Sequence, residues 1–136
     1  MADTVPIVLD TSAVLALRND EPGADRVGRV LQATRTGRAA ALVSFMTRME
    51  MLYRIGADEG PAAAEFAVRL LDATGIEWVS CDPAILNEAA RLQARGGLSV
   101  ADAWIAATAA VRQAVLLHKD PEFGRVPDVR QERLPG

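Results

Sequence analysis

The sequence has very little of several residue types, and each shortage excludes a class of protein. Its single cysteine, Cys81, excludes an internal disulfide framework and a cysteine-based zinc site. Its single histidine, His118, makes a Ser-His-Asp hydrolase a poor interpretation, because such an enzyme needs a positioned histidine base. No window holds the roughly 20 apolar residues of a membrane span. No glycine-rich loop ends in Lys-Ser or Lys-Thr, as a phosphate-binding P-loop requires.

The remaining composition is that of an ordinary globular chain. Half of the 136 residues are apolar and 24% are charged, which does not indicate disorder. The length predicts one domain, residues 1–136. The first residues, 1–4, lack the basic and apolar segments of a secretion signal, so we expect a cytoplasmic protein.

The charge is unevenly distributed along the chain. The net charge of −3 argues against binding of nucleic acid by bulk electrostatics alone, yet residues 26–57 carry +5 and the remainder −8. Arginine has a planar fork that suits phosphate, which makes six residues candidates for guiding an RNA backbone. These residues are Arg26, Arg29, Arg35, Arg38, Arg48 and Arg54. Solvent-exposed helix faces explain them at least as well.

Short apolar runs alternate with helical patterns throughout the chain. We predict strands at residues 7–9, 39–43, 76–79 and 115–117, with a short edge strand within 129–134. Strands that alternate with helices at this spacing indicate an α/β domain with a mainly parallel sheet.

The intervening helices carry more specific expectations. Pro22 suits the first position of the second helix, and the helix at residues 100–113 is apolar on all sides and therefore buried. The helix at residues 45–57 presents one apolar stripe, formed by Phe45, Met49, Leu52, Tyr53 and Gly56. The aromatic residues in apolar surroundings are expected in the core: Tyr53, Phe66, Trp78 and Trp104.

Four acids lie where a parallel sheet would bring them together. Asp10 and Asp120 follow predicted strands, Glu50 lies at the edge of an apolar helix face, and Asp102 lies in the first turn of the most apolar helix. Two carboxylates about 4 Å apart repel by about 4 kcal/mol at an effective dielectric of roughly 20. Mg²⁺ or Mn²⁺ relieves that repulsion and activates water. The cluster therefore suggests metal-dependent phosphodiester cleavage.

Each acid also fits a purely structural role. Asp10 suits a helix N-cap, Asp102 a capping box, Glu50 an i,i+4 ion pair on its helix, and Asp120 a turn. No single acid decides between the two interpretations, so the metal site rests on all four together.

The segments around these acids resemble the motifs of PIN domains, in particular VapC-type toxins of toxin–antitoxin pairs. The opening motif is VLDTSAVLAL at residues 8–17, and the second is SFMTRME at residues 44–50. The third and most specific is GLSVADAWIAATA at residues 97–109, and the fourth is VLLHKDPEF at residues 115–123. Their order and spacing agree from about residue 7 to residue 126.

The resemblance implies a metal-dependent endoribonuclease with a three-layer α/β/α fold around a parallel sheet of four or five strands. The catalytic and metal-binding residues for Mg²⁺ or Mn²⁺ would be Asp10, Glu50, Asp102 and Asp120. Ser12 and His118 would support them, although many relatives have Thr or Ser at the position of His118.

The resemblance also implies an RNA substrate, a homodimer and a cognate antitoxin that inserts a segment into the acidic groove. Two other interpretations stay open. One is a non-catalytic interaction module with the same fold, and the other is a nuclease that acts on DNA or in RNA maturation.

Overall fold

Five parallel strands form the centre of the molecule. The structure is a computed structural model that describes residues 5–136, so residues 1–4, where no secretion signal was expected, lie outside it. The strands are β1 (Ile7–Leu9), β2 (Ala41–Ser44), β3 (Glu77–Val79), β4 (Val115–His118) and β5 (Gln131–Arg133). They lie in the order β3-β2-β1-β4-β5, and every neighbouring pair is parallel. The predicted fold class is confirmed.

Six helices cover the two faces of this sheet. They are α1 (Thr11–Arg18), α2 (Ala24–Arg35), α3 (Phe45–Glu59), α4 (Pro61–Asp72), α5 (Pro83–Arg95) and α6 (Val100–Val111). A short 3₁₀ helix, Pro121–Arg125, follows β4. Within residues 5–136, none of the helices has the length and apolar character needed to cross a membrane.

Alternate residues of the central strands contribute to two separate cores. Val8 and Leu116 pack with α5 and α6 on one face. Leu9 and Leu117 pack with α1, α2, α3 and α4 on the other. This alternation follows from the two-residue period of a strand, and it produces the three-layer arrangement. Helix α6 is buried on nearly all sides, as its composition predicted.

The start of α2 differs from the prediction. The helix begins at Ala24 rather than at Pro22, because Gly23 caps it in the left-handed region with a φ of 98°. A Cβ at Gly23 would lie 2.9 Å from Leu134 Cβ, so the close approach of the chain after β5 also requires glycine.

The predicted apolar stripe of α3 is wrong. The buried residues are Thr47, Met51 and Ile55, whereas Met49 and Tyr53 are 47% and 57% exposed. Both stripes have helical spacing and similar hydrophobicity, so periodicity alone does not distinguish them. Two of the four aromatics expected in the core lie on the surface instead, namely Tyr53 on this face of α3 and Phe66 on α4.

Candidate active site

Acidic side chains from four parts of the chain line one pocket at the carboxyl edge of the sheet. Helix α1 follows β1, α3 follows β2 and the 3₁₀ helix follows β4, so all three begin at this edge. The pocket has a volume of about 440 Å³. Its charged lining residues are Asp10, Glu50, Arg54, Asp102, Asp120 and Glu122. The structure thus brings the four predicted acids together and adds a fifth.

Asp10 uses one carboxylate oxygen as a helix cap and leaves the other without a partner. Its Oδ2 accepts the backbone N–H of Ser12 at 3.0 Å and also the Ser12 hydroxyl. Its Oδ1 is buried and has no hydrogen-bond partner within residues 5–136. Helix capping therefore explains the position of Oδ2 and leaves Oδ1 without a structural role.

The surroundings of Asp10 disfavour its charge. Burial raises the pKa of the Asp10 carboxyl to about 6, against the lowering effect of the Ser12 hydrogen bonds. The neighbouring carboxylates of Glu50 and Asp120 raise this pKa further. A group in this situation gains from a nearby cation.

Asp102 is the second buried acid of the pocket. It lies in the first turn of α6, where the Ser99 hydroxyl accepts its backbone N–H at 3.1 Å. This contact is one half of the expected capping box, and it leaves the Asp102 carboxylate available. Burial raises the pKa of Asp102, and the Asp10 carboxylate raises it further.

Glu122 belongs to the cluster, although the sequence did not single it out. One oxygen from each of Asp102, Asp120 and Glu122 lies within 4.8 Å of the other two. Asp120 Oδ1 accepts the backbone N–H of Glu122 at 2.9 Å, which fixes the first turn of the 3₁₀ helix. The signal was its place in the fourth motif, two residues after Asp120.

Two buried threonines connect Glu50 to the pocket. The Thr11 hydroxyl donates to Glu50 Oε1 at 2.6 Å, and Thr47 Oγ1 lies 2.9 Å from Thr11 Oγ1. Because the single hydroxyl proton of Thr11 goes to Glu50, the Thr47 hydroxyl donates to Thr11. The sequence reasoning missed both, and the available signals were their positions next to Asp10 and three residues before Glu50.

Ser12 and His118 both contact the segment that carries Asp120. The Ser12 hydroxyl donates to Asp10 and accepts the backbone N–H of Lys119 at 2.9 Å. Nδ1 of His118 accepts the backbone N–H of Asp120 at 3.1 Å. Burial lowers the pKa of His118, which favours the neutral ring.

The six arginines proposed to guide RNA do not share one surface at this pocket. Among them, Arg54 alone lines it in the described part of the chain. Arg26 donates two hydrogen bonds to Glu132, Arg38 donates one to Thr36, and Arg48 lies over the Trp78 ring. Arg29 lines a separate pocket along α2, and Arg35 is the last residue of that helix.

The acids are not neutralised by ion pairs. None of the ion pairs formed within residues 5–136 involves Asp10, Glu50, Asp102, Asp120 or Glu122. The side-chain atoms of the pocket that could bind a metal ion are carboxylate and hydroxyl oxygens, which hard divalent cations prefer as ligands. The unpartnered Asp10 Oδ1 therefore lies in a site whose residues fit such an ion.

A comparison of the sequence with known protein families finds a match that includes every acid of this pocket. A family profile described as the PIN domain matches residues 7–129, a range that contains all five acids. The chain belongs to the PIN domain family. A search of curated proteins finds no match to this PIN domain.

Solved structures with the same fold come from several bacteria. VapBC2 from Rickettsia felis, bound to promoter DNA, has a TM-score of 0.76 at 15% identity and covers 95% of this chain and 98% of its own. DNA-bound VapBC from Salmonella typhimurium gives 0.76 at 24% identity, covering 96% and 98%. Mycobacterium tuberculosis VapC20, described as a sarcin-ricin loop cleaving toxin, gives 0.71 at 18%, covering 95% and 99%. At these identities the likeness shows the fold alone.

Proposed function

We propose that this PIN domain is a metal-dependent endoribonuclease and the toxin of a toxin–antitoxin pair. The observation that carries the proposal is Asp10 Oδ1, a buried carboxylate oxygen without a partner among acids that no ion pair neutralises. Burial of an uncompensated charge is costly. A divalent cation compensates that charge, and its removal leaves the acids in mutual repulsion.

The residues of the chain have separate tasks in this proposal. Asp10 and Asp102, the two most buried acids, would hold Mg²⁺ or Mn²⁺, and Glu50 and Asp120 would complete the ligand set. When bound there, the ion would lower the pKa of a water and neutralise charge on the phosphate. Thr11 orients Glu50, and Ser12 holds Asp10 against the segment after β4.

RNA is the proposed substrate because of the relatives. One of the similar structures is named as a toxin that cleaves the sarcin-ricin loop, which is an RNA. Arg54, at the edge of the acidic pocket, offers a cation to a substrate phosphate.

An antitoxin is the proposed protein partner, since one solved relative is described as a toxin–antitoxin complex and another as a member of a family of toxin–antitoxin systems. The protein has a second, mainly apolar pocket of about 540 Å³ between α1, α2, α3 and α4. Phe66 and Leu70 line it and are 56% and 55% exposed. We assign this groove to the antitoxin, with a further segment of the same partner reaching the acids.

The exposed stripe of α3 is the proposed contact of a homodimer. Met49, Leu52 and Tyr53 are exposed at i, i+3 and i+4 positions, and none of them lines the apolar groove. Apolar side chains exposed together on one helix face mark a protein contact.

A cleavage assay tests the proposed function. Purified protein is incubated with tRNA, ribosomal RNA and single-stranded DNA in Mg²⁺ or in EDTA. We expect RNA cleavage that requires Mg²⁺ and is lost in Asp10→Ala. Asp82→Ala is the matched control, because Asp82 also caps a helix but lies outside the pocket.

Three results would contradict parts of this proposal. Cleavage that persists in Asp10→Ala would contradict the assignment of the site. Preferential cleavage of DNA would contradict the substrate. An intact protein that neither cleaves RNA nor binds Mn²⁺ would instead favour the non-catalytic interaction module.

A further inference from the structure

His118 makes two hydrogen bonds from opposite sides of its ring. It is the last residue of β4 and is 1% exposed. Its Nδ1 accepts the backbone N–H of Asp120 at 3.1 Å. Its Nε2 lies 2.9 Å from Oε1 of Gln131, the first residue of β5.

Gln131 has only one possible orientation in this network. Its amide nitrogen lies 3.1 to 3.2 Å from the backbone carbonyl oxygens of Phe123, Val126 and Val129. Carbonyl oxygens only accept hydrogen bonds, so the NH₂ group of Gln131 must face them and its oxygen must face His118.

The two partners together determine the tautomer of His118. The oxygen of Gln131 can only accept, so Nε2 of His118 carries a proton. The backbone N–H of Asp120 can only donate, so Nδ1 carries none. Any other arrangement sets donor against donor or acceptor against acceptor inside a buried network, where an unmade hydrogen bond is costly.

The contact with Asp120 is one of three that fix the chain after β4. The Ser12 hydroxyl accepts the N–H of Lys119, His118 accepts that of Asp120, and the Asp120 carboxylate accepts that of Glu122. A side chain that accepts the N–H two residues ahead stabilises a turn, as aspartate and asparagine commonly do. Here an imidazole does so and is itself anchored to β5.

We propose that His118, held in the Nε2–H tautomer by Gln131, is a positioning residue that fixes the backbone at Asp120 so that Asp120 and Glu122 meet Asp102. The inference rests on the proposed metal site, because its consequence is a ligand set arranged before the ion binds. His118 touches neither the ion nor the substrate in this account. Gln131 acts only through His118 and through the three carbonyls that close the loop before β5.

The tautomer is measurable in the metal-free protein. Because the chain has one histidine, a long-range ¹H–¹⁵N correlation spectrum of ¹⁵N-labelled protein contains a single imidazole and needs no assignment. We expect a protonated Nε2 and an unprotonated Nδ1. A predominant Nδ1–H tautomer, or an equal mixture of the two, would overturn the proposal.

Variants of His118 separate positioning from packing. His118→Asn keeps an acceptor for the Asp120 N–H and loses the link to Gln131, whereas His118→Leu loses both. The matched control is Thr108→Val, because Thr108 is buried in α6 and donates its hydroxyl proton to the Trp104 carbonyl of the same helix.

Mn²⁺ titration by calorimetry provides the first comparison. Since loss of an outer partner of a metal ligand typically lowers affinity by about 10- to 100-fold, we expect a loss of about 10-fold or more in His118→Leu and of less than about 3-fold in His118→Asn and Thr108→Val. An unchanged affinity in His118→Leu would overturn the proposal, as would an equal loss in His118→Asn.

Hydrogen exchange at the Asp120 amide provides a comparison that needs no metal. We expect protection of this amide in the unsubstituted protein and in His118→Asn, and its loss in His118→Leu while the Leu117 amide stays protected. Equal exchange in the two variants would overturn the proposal. If the unsubstituted protein binds no Mn²⁺, the proposed function fails, and the tautomer and the exchange rates still decide this inference.

Discussion

The Thr11 hydroxyl donates a 2.6 Å hydrogen bond to Glu50 Oε1, across 39 positions of the sequence. It joins the first residue of α1 to the middle of α3, the helices that follow β1 and β2. Thr11 is 3% exposed, so this bond is shielded from water. The acidic pocket therefore depends on hydroxyl groups that orient carboxylates as well as on the carboxylates themselves.

Thr11→Val tests this dependence with a side chain of the same shape. The variant leaves Glu50 without its donor and the buried Thr47 hydroxyl without its acceptor. We expect Mn²⁺ affinity to fall by about 10-fold and the free energy of unfolding to fall by about 1–3 kcal/mol. Calorimetric titration and urea unfolding measure these two effects. Thr108→Val should leave the Mn²⁺ affinity unchanged, because the Thr108 hydroxyl bonds only within its own helix in the described residues. An unchanged Mn²⁺ affinity in Thr11→Val would refute the orienting role.

The raised pKa values predict an unusual pH dependence of stability without metal. Asp10 titrates at about 6 in the folded protein and near 3.8 when unfolded, so the folded state binds more protons between these values. The contribution of Asp10 to the free energy of unfolding should therefore fall by up to about 3 kcal/mol as pH rises from 4 to 6. The lowered pKa of His118 acts in the opposite direction over this range, so the effect of Asp10 is measured against a variant without its charge. The raised pKa of Asp102 extends this fall to higher pH.

Urea unfolding in EDTA between pH 4 and pH 8 measures this dependence. Asp10→Asn keeps a helix cap and removes the charge, so it should flatten the profile and stabilise the metal-free protein at pH 8. Saturating Mn²⁺ should stabilise the unsubstituted protein at pH 8 and have little effect on the variant. If the stability of the unsubstituted protein relative to Asp10→Asn did not fall as pH rises in EDTA, the raised pKa of Asp10 would be contradicted.

Arg54 is expected to contribute to RNA binding more than the other arginines of residues 26–57. Arg54→Ala removes the cation that lines the acidic pocket, so binding of single-stranded RNA should weaken and depend less on salt. The slope of log affinity against log salt concentration should fall by about 0.7. Fluorescence anisotropy in EDTA, which prevents cleavage, measures this slope. Arg35→Ala is the control, and an equal change in both variants would contradict a specific role of Arg54.

Substitution of two aromatic residues of nearly equal exposure distinguishes the proposed dimer contact from the proposed antitoxin contact. Tyr53 lies on the exposed stripe of α3, and Phe66 lines the apolar groove. We expect Tyr53→Lys to convert a dimer to a monomer in light scattering, whereas Phe66→Lys leaves the dimer intact and weakens antitoxin binding. If Phe66→Lys disrupted the dimer and Tyr53→Lys weakened antitoxin binding, the groove would be the dimer contact and the α3 stripe the antitoxin contact. A monomeric unsubstituted protein would exclude the dimer.

The sequence predicted the parts of the fold that depend on local pattern. The strands that became β1 and β4 were recognisable as short apolar runs, and the acids after them followed from the geometry of a parallel sheet. The orientation of α3 was not recoverable, because both faces of the helix carry a methionine and further large side chains at helical spacing. The packing of α3 against α4 and the hydrogen bond of Thr47, both tertiary contacts, distinguish the two faces.

The hydrogen bonds that position the side chains of the site could not be predicted from local sequence pattern either. The bonds from Thr11 to Glu50 and from His118 to Gln131 join residues far apart in sequence, and nothing near either residue encodes its partner. Asp10 appeared as either a cap or a ligand, and the structure assigns its two oxygens to different environments.

The most direct test of the central claim is anomalous diffraction from crystals soaked in Mn²⁺. The account predicts a manganese peak in contact with the carboxylates of Asp10 and Asp102, and no peak there in Asp10→Asn crystals treated in the same way. A fully soaked crystal with an intact acidic pocket and no manganese at Asp10 would contradict it.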